Sequence, residues 1–118
     1  MKYLGRAQIA YDGTTLDTAP GAKLNVGGIA RKEVEGAYTI GHTEALKAAT
    51  VECAVNVSKE TPLEAIRSIA GATVTFRADT GQTFVVKNAF LTEPPEMTAD
   101  DKGGDMKLVF KGDPAELV

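Results

Sequence analysis

Tryptophan is absent, cysteine and histidine occur once each, and aromatic residues make up only 6% of the 118-residue chain. A lone cysteine, Cys53, rules out an internal disulfide and fits a reducing, cytosolic birthplace. No apolar run approaches the roughly 18 residues of a membrane-spanning helix. The polar start Met1-Lys2-Tyr3 does not read as a signal peptide. No block of one charge stands out: the net charge is −3 and the pI near 5.1. That balance argues against tight direct binding of nucleic acid, which needs clustered Lys and Arg to neutralise phosphates.

What is present is a lean aliphatic core, 43% hydrophobic residues overall, in a chain of single-domain length. The organising stretch is Val51 to Phe90. Val51, Cys53, Val55 and Val57 alternate with Glu52, Ala54, Asn56 and Ser58, the period of a strand with one buried and one polar face. Thr61-Pro62-x-Glu64 then predicts a helix opened by a capping box, with Leu63, Ile66, Ile69 and Ala70 as its apolar stripe and Gly71 as its stop. Ala72, Val74, Phe76 and Ala78 alternate with Thr73, Thr75, Arg77 and Asp79 in the next strand. After a turn at Thr80-Gly81, Thr83 to Leu91 has apolar residues on both faces: Phe84, Val86 and Phe90 on one, Val85, Ala89 and Leu91 on the other. The pattern predicts a mainly β chain, with one helix lying against a mainly antiparallel sheet.

The flanking segments add hairpins and tails. Tyr3 to Tyr11 alternates and turns back at Asp12-Gly13 through Thr14, Thr15 and Leu16. Asp17 to Lys23 reads as a loop, and Leu24, Val26 and Ile29 resume an extended pattern around Gly27-Gly28. Residues 30–46 are charged and punctuated by Gly36 and Gly41, with no sustained apolar face, and predict a protruding hairpin or loop. Residues 92–104, with Pro94-Pro95 and an acidic Gly-rich run, predict a surface loop before a last strand carrying Met106, Leu108 and Phe110.

Catalytic chemistry has little to work with. His42 has no Cys or carboxylate at metal-ligand spacing, and an exposed or interface role is favoured over catalysis or metal binding. Cys53 lies on an apolar strand face with nothing nearby to activate it, so it reads as a small buried hydrophobe. Val26-Gly27-Gly28-Ile29 lacks the spacing of a phosphate-binding loop. Asp100, Asp101 and Asp105 lack the ligand pattern of a calcium loop. Glu52 and Glu64 are no acid–base pair, since Glu64 is assigned to the cap. No enzyme, metal or cofactor is expected. What stays unexplained is surface: the second face of the strands and the 30–46 arm both need partners, the usual raw material of ring and fibre assembly.

The motifs VECAVNVS before a short helix, ATVTFRADTGQTFVVKNAFLTEPPE and GGDMKLVFKGDPAE, with GRAQIAYDGTTL and ARKEVEGAYTIGHTE upstream, resemble the tail tube proteins of Mu-like contractile-tailed bacteriophages. The resemblance covers essentially the whole chain. It implies a mainly β fold with one helix, an antiparallel β-sandwich or barrel, in hexameric rings whose inner sheets join into a β-barrel, stacked into a tube that conducts DNA into the host. It also implies a virion-tail location after assembly in the host bacterial cytoplasm, with no membrane insertion. The implied partners are further copies of the chain, a contractile sheath, a tape-measure protein, a baseplate hub and a tail terminator, with DNA only in transit. The inner tube of type VI secretion or a related contractile injection system is the nearest alternative, and a monomeric β-sandwich binding module the second. On the tube reading, Arg31, Lys32, Glu33, Glu35, Tyr38, Ile40 and His42 belong to an inter-ring arm. Thr50, Glu52, Asn56, Thr73, Thr75 and Arg77 are expected to face the lumen. Val55, Val74 and Phe76 are expected to pack against the helix residues Leu63, Ile66 and Ile69.

Overall fold

Alternating apolar residues build the body strand by strand in a computed structural model that describes residues 1–99, 101 and 103–118. Asp100, one member of the acidic run, lies outside the described residues. Strand β1 (Ala7–Tyr11) turns at Asp12 and Gly13, both with positive φ, into the short β2 (Thr14–Thr15), as a two-residue Asp-Gly hairpin requires. Tyr3, expected within this first strand, lies outside it and is 78% exposed. β3 (Lys23–Asn25) follows, then a hairpin of two eight-residue strands, β4 (Gly28–Glu35) and β5 (Ile40–Lys47). β6 (Ala49–Asn56), helix α1 (Leu63–Arg67), β7 (Ala70–Ala78), β8 (Thr83–Leu91), β9 (Glu96–Thr98), β10 (Asp105–Gly112) and β11 (Glu116–Leu117) complete the chain.

Among the described residues, nine strands form one antiparallel sheet in the order β2-β1-β7-β8-β10-β6-β3, with β11 beside β8 and β9 beside β10. The sheet curls until its ends meet. Beyond β2, Thr18 bridges to Val55, the Ala19 N–H donates to the Ala54 carbonyl (2.7 Å), and the Asn56 N–H donates to the Asp17 carbonyl (2.9 Å). Residues 17–19 therefore bridge β6 to the β1–β2 hairpin and close the sheet into a barrel-like body. Inside it lies one core, made from β1 (Ile9, Tyr11), β6 (Val51, Cys53, Val55), β7 (Val74, Phe76), β8 (Val86, Ala89) and β10 (Met106, Leu108, Phe110). Burying so many aliphatic side chains, at roughly 1.5–3 kcal/mol each, is the main force that holds the sheet closed.

Four local expectations are corrected. First, the capping box does not form. The Thr61 hydroxyl turns back to the end of β6, accepting from the Ser58 N–H (2.8 Å) and donating to the Asn56 carbonyl (3.3 Å), so the helix starts after Pro62 without a side-chain cap. Second, the helix ends at Arg67, and Ala70 and Gly71 open β7; Gly71, at φ +73°, sits where the β7–β8 register slips. Third, β8 is not apolar on both faces throughout. A left-handed residue, Asn88 (φ +53°), shifts its phase, so that Val86 and Ala89 both point into the core. Fourth, residues 92–104 are not all loop, because β9 pairs with the start of β10, and the C-terminal tail forms β11 against β8.

Candidate functional site: two sheet faces and an arm

The arm is a hairpin without a body beneath it. β4 and β5 pair in unbroken register from Gly28↔Lys47 to Glu35↔Ile40, and residues 29–48 are all exposed. Eight residues of antiparallel strand reach about 27 Å, which accounts for much of the molecule's 63 Å longest dimension. Gly27 makes the exit possible. Its φ of +68° turns the chain, and a Cβ there would sit 2.7 Å from the backbone of residues 47–49, which return alongside.

The register sorts the arm into two faces. One carries Ile29, Leu46, Arg31, Glu44, Glu33, His42, Glu35 and Ile40; the other carries Lys32, Thr43 and Val34. Glu44 lies 3.6 Å from Arg31 and 3.2 Å from His42. These exposed pairs set side-chain register and add little stability. At the tip, Tyr38 is 100% exposed and Ile40 81%. Arg31, Lys32, Glu33, Glu35, Tyr38, Ile40 and His42 thus all lie on this hairpin.

The six residues expected on one polar surface lie on two. Thr50, Glu52 and Asn56 are on the outward face of β6, whereas Thr73, Thr75 and Arg77 are on the outward face of β7. Between the two strands stand β8 and β10 in one direction, and β1 with residues 17–19 in the other. Both strands turn their inward residues into the same core, so their outward faces look away from each other. Sequence alternation identifies which residues point outward; it does not identify which outward faces are shared once a sheet closes.

The β6 face extends over its neighbours in straight rungs. Asn25, Thr50, Lys111 and Phe90 form one rung, Lys23, Glu52 and Val109 the next, Ala54, Lys107 and Glu96 a third, and Asn56, Asp105 and Thr98 a fourth. β6 and β10 pair without a bulge over all eight positions, whereas β7 and β8 slip twice. The rungs border a shallow hollow that also takes in Thr92 and Glu93. On the β7 face, Gln8, Arg77 and Thr83 share a rung, as do Ala10, Thr75, Val85 and Glu116.

The residues expected at the helix contact lie in or beside the core. Ile66, Ile69, Val55, Val74 and Phe76 are buried, and Leu63 packs against them half-buried. Cys53 is buried too, and burial pushes its thiol up from 9.0 to about 12. At that value the thiolate is negligible at neutral pH. Among the described residues, no three His, Cys, Asp or Glu side chains cluster as metal ligands, and no helix is long and apolar enough to cross a membrane.

Set beside known proteins, this arrangement has relatives. A family model described as phage tail tube protein matches residues 1–116. The chain is 34% identical over 106 residues to the tail tube protein of Escherichia phage Mu, covering 90% of this chain and 86% of that one. It is 32% identical over 101 residues to the Mu-like prophage FluMu tail tube protein of Haemophilus influenzae, covering 86% of each. Among solved structures, a chain of the sheath–tube complex of the PVC extracellular contractile injection system in its extended state superposes with a TM-score of 0.71 at 15% identity. The superposition covers 96% of this chain and 88% of that one. A chain of the sheath/tube terminator of the same system superposes with a TM-score of 0.69 at 13% identity, covering 96% and 93%. These likenesses extend the fold; the family rests on the sequence matches, and the chain belongs to the phage tail tube protein family.

Proposed function

We propose that this protein is the subunit of a contractile phage tail tube, a structural component that self-assembles into stacked hexameric rings through which DNA passes into the host. The observation that carries this reading is the family match across residues 1–116, nearly the whole chain. In support, the body leaves polar strand faces and an entire hairpin without intramolecular partners among the described residues. Its place is the virion tail, assembled in the host cytoplasm. Its partners are further copies of the chain, the sheath, a tape-measure protein, a baseplate hub and a terminator. An injection-system tube is the second reading, favoured by the fold likeness to that class. The higher identity to the phage Mu protein weighs for the phage.

Within such a ring we assign the lumen to the β3–β6–β10 face, with Thr50, Glu52 and Asn56, and the exterior to the β7 face, with Thr73, Thr75 and Arg77. Two features favour this choice. The β6–β10 ladder is the longest unbroken one in the body. The arm also grows directly from β3 and returns directly into β6, so stacking through the arm aligns these strands from ring to ring. The outer edge of β3 offers its backbone groups to a neighbouring subunit.

The arm carries the stacking. Tyr38 and Ile40 supply apolar anchors, and Arg31, Lys32, Glu33, Glu35, His42 and Glu44 supply partner choice and register. Deleting residues 35–41 should leave the body folded, with its melting temperature within a few degrees of wild type. Mass measurement should then find monomers or single rings. Tubes of normal length from that deletion would remove the arm from stacking.

A further inference from the structure

The polar ladder of β3, β6, β9 and β10 carries three lysines, Lys23, Lys107 and Lys111, and three carboxylates, Glu52, Glu96 and Asp105, so its formal charge is 3 − 3 = 0. Their placement is not uniform. Glu52 is directly opposite Lys23 across β3–β6. Across β6–β10 it faces Val109, which makes Lys107 and Lys111 its two diagonal neighbours. Directly opposed residues have Cβ atoms about 5 Å apart, and diagonal ones about 7–8 Å. Measured between Cβ atoms, all three lysines are therefore rooted within about one Debye length of a single carboxylate at physiological salt. Glu96 stands opposite Lys107 on its other side, and Glu93 at the rim of the hollow adds only negative charge.

We propose that Glu52 is the charge-compensating residue of the lining, the group that keeps three lysines per subunit from gripping a polyanion in transit. The inference rests on the lumen assignment above and deepens it. The physics is counterion release. Lysines facing phosphates without compensation displace condensed cations and bind DNA with a steep salt dependence, whereas a lining neutral at the scale of the Debye length gains nothing from that release. Small neutral side chains alone would also avoid gripping. Here lysines are present, and the carboxylate at their centre makes them harmless. In a ring of six, removing Glu52 leaves the same cationic cluster repeated around the bore.

The test uses assembled tubes and a short duplex DNA, scoring the nuclease-resistant DNA that co-sediments with the tubes at 50 and 200 mM salt. Wild-type tubes should retain almost none at either concentration. Tubes of Glu52→Gln should retain more and tubes of Glu52→Lys more again, at least tenfold over wild type at 50 mM, with release at 200 mM. Thr75→Lys, which adds a charge to the β7 face, should leave protected DNA unchanged. Strong salt-sensitive retention by wild-type tubes, or none by the Glu52→Lys tubes, would overturn the proposal. If Glu52→Lys fails to assemble, the near-isosteric Glu52→Gln decides: retention by its tubes equal to wild type at 50 mM would overturn the proposal. Electron microscopy of the same samples separates the two levels: hollow tubes with the wrong retention pattern count against the role of Glu52 alone. Protected DNA gained by Thr75→Lys instead would reverse the lumen assignment itself.

Discussion

Cys53 shows how much one residue's surroundings decide. Its thiol faces the apolar core between Val51 and Val55, and desolvation of the thiolate pushes its pKa up to about 12. Between about 9 and 12 the folded protein holds a proton that the unfolded chain has released, so stability falls as pH rises through that window. Below about pH 7.5 both states hold the proton and this group contributes almost no pH dependence. A denaturant titration should find a midpoint that is lower at pH 10.5 than at pH 8, and in a Cys53→Ala variant that difference should shrink. An equal decline in both proteins would show that other groups cause it. Alternation alone was enough to read Cys53 as buried. Thr61 was harder. Thr-Pro-x-Glu is a sound capping signal, but a hydroxyl can serve only one local geometry, and here the turn at Ser58 takes it.

At the scale of elements, β8 is the part whose pattern misleads. Its apolar residues fit two faces only if the strand is regular, and the left-handed Asn88 makes it irregular. The bulge is held from outside the strand, by the Asn88 amide donating to Asp113 (2.9 Å) and the Asp113 N–H donating to the Lys87 carbonyl (2.9 Å). Gly112 seals it: a Cβ there would sit 2.7 Å from the Lys87 carbonyl oxygen, 2.8 Å from Val86 Cγ1 and 3.0 Å from Ala89 Cα. Gly112→Ala should therefore cost about 1–3 kcal/mol through overpacking and lower the melting temperature by several degrees. An unchanged melting temperature would mean that the bulge relaxes freely. Strands β6, β7 and β10 were legible because each keeps a two-residue period over most of its length. The short β9 and β11 were not, because two or three residues carry no period and pair only when the sheet offers an edge. The arm was legible by default, as a long stretch with nothing apolar enough to bury. Its regular pairing was not, since exposed strands need no alternation.

For the whole molecule, closure of the sheet is the event that sequence pattern did not reach. Outward residues of β6 and β7 look equivalent in a list of alternating positions, yet the bridge at residues 17–19 sets them on opposite sides of one body. That separation gives the subunit two distinct outward surfaces, one in straight rungs and one with register slips, plus an arm rooted beside the first. The proposed ring assembly would use this asymmetry, because the inside and outside of a tube meet different partners. The most direct test is an electron-microscopy reconstruction of the purified protein after assembly, seeded with baseplate if it does not start alone. The account predicts a hollow tube of stacked rings, with Glu52 and Lys111 on the bore, Thr75 and Arg77 outside, and each 28–47 hairpin crossing to the adjacent ring. A tube with the β7 face on the bore, or a strictly monomeric particle at every concentration with baseplate present, would contradict it.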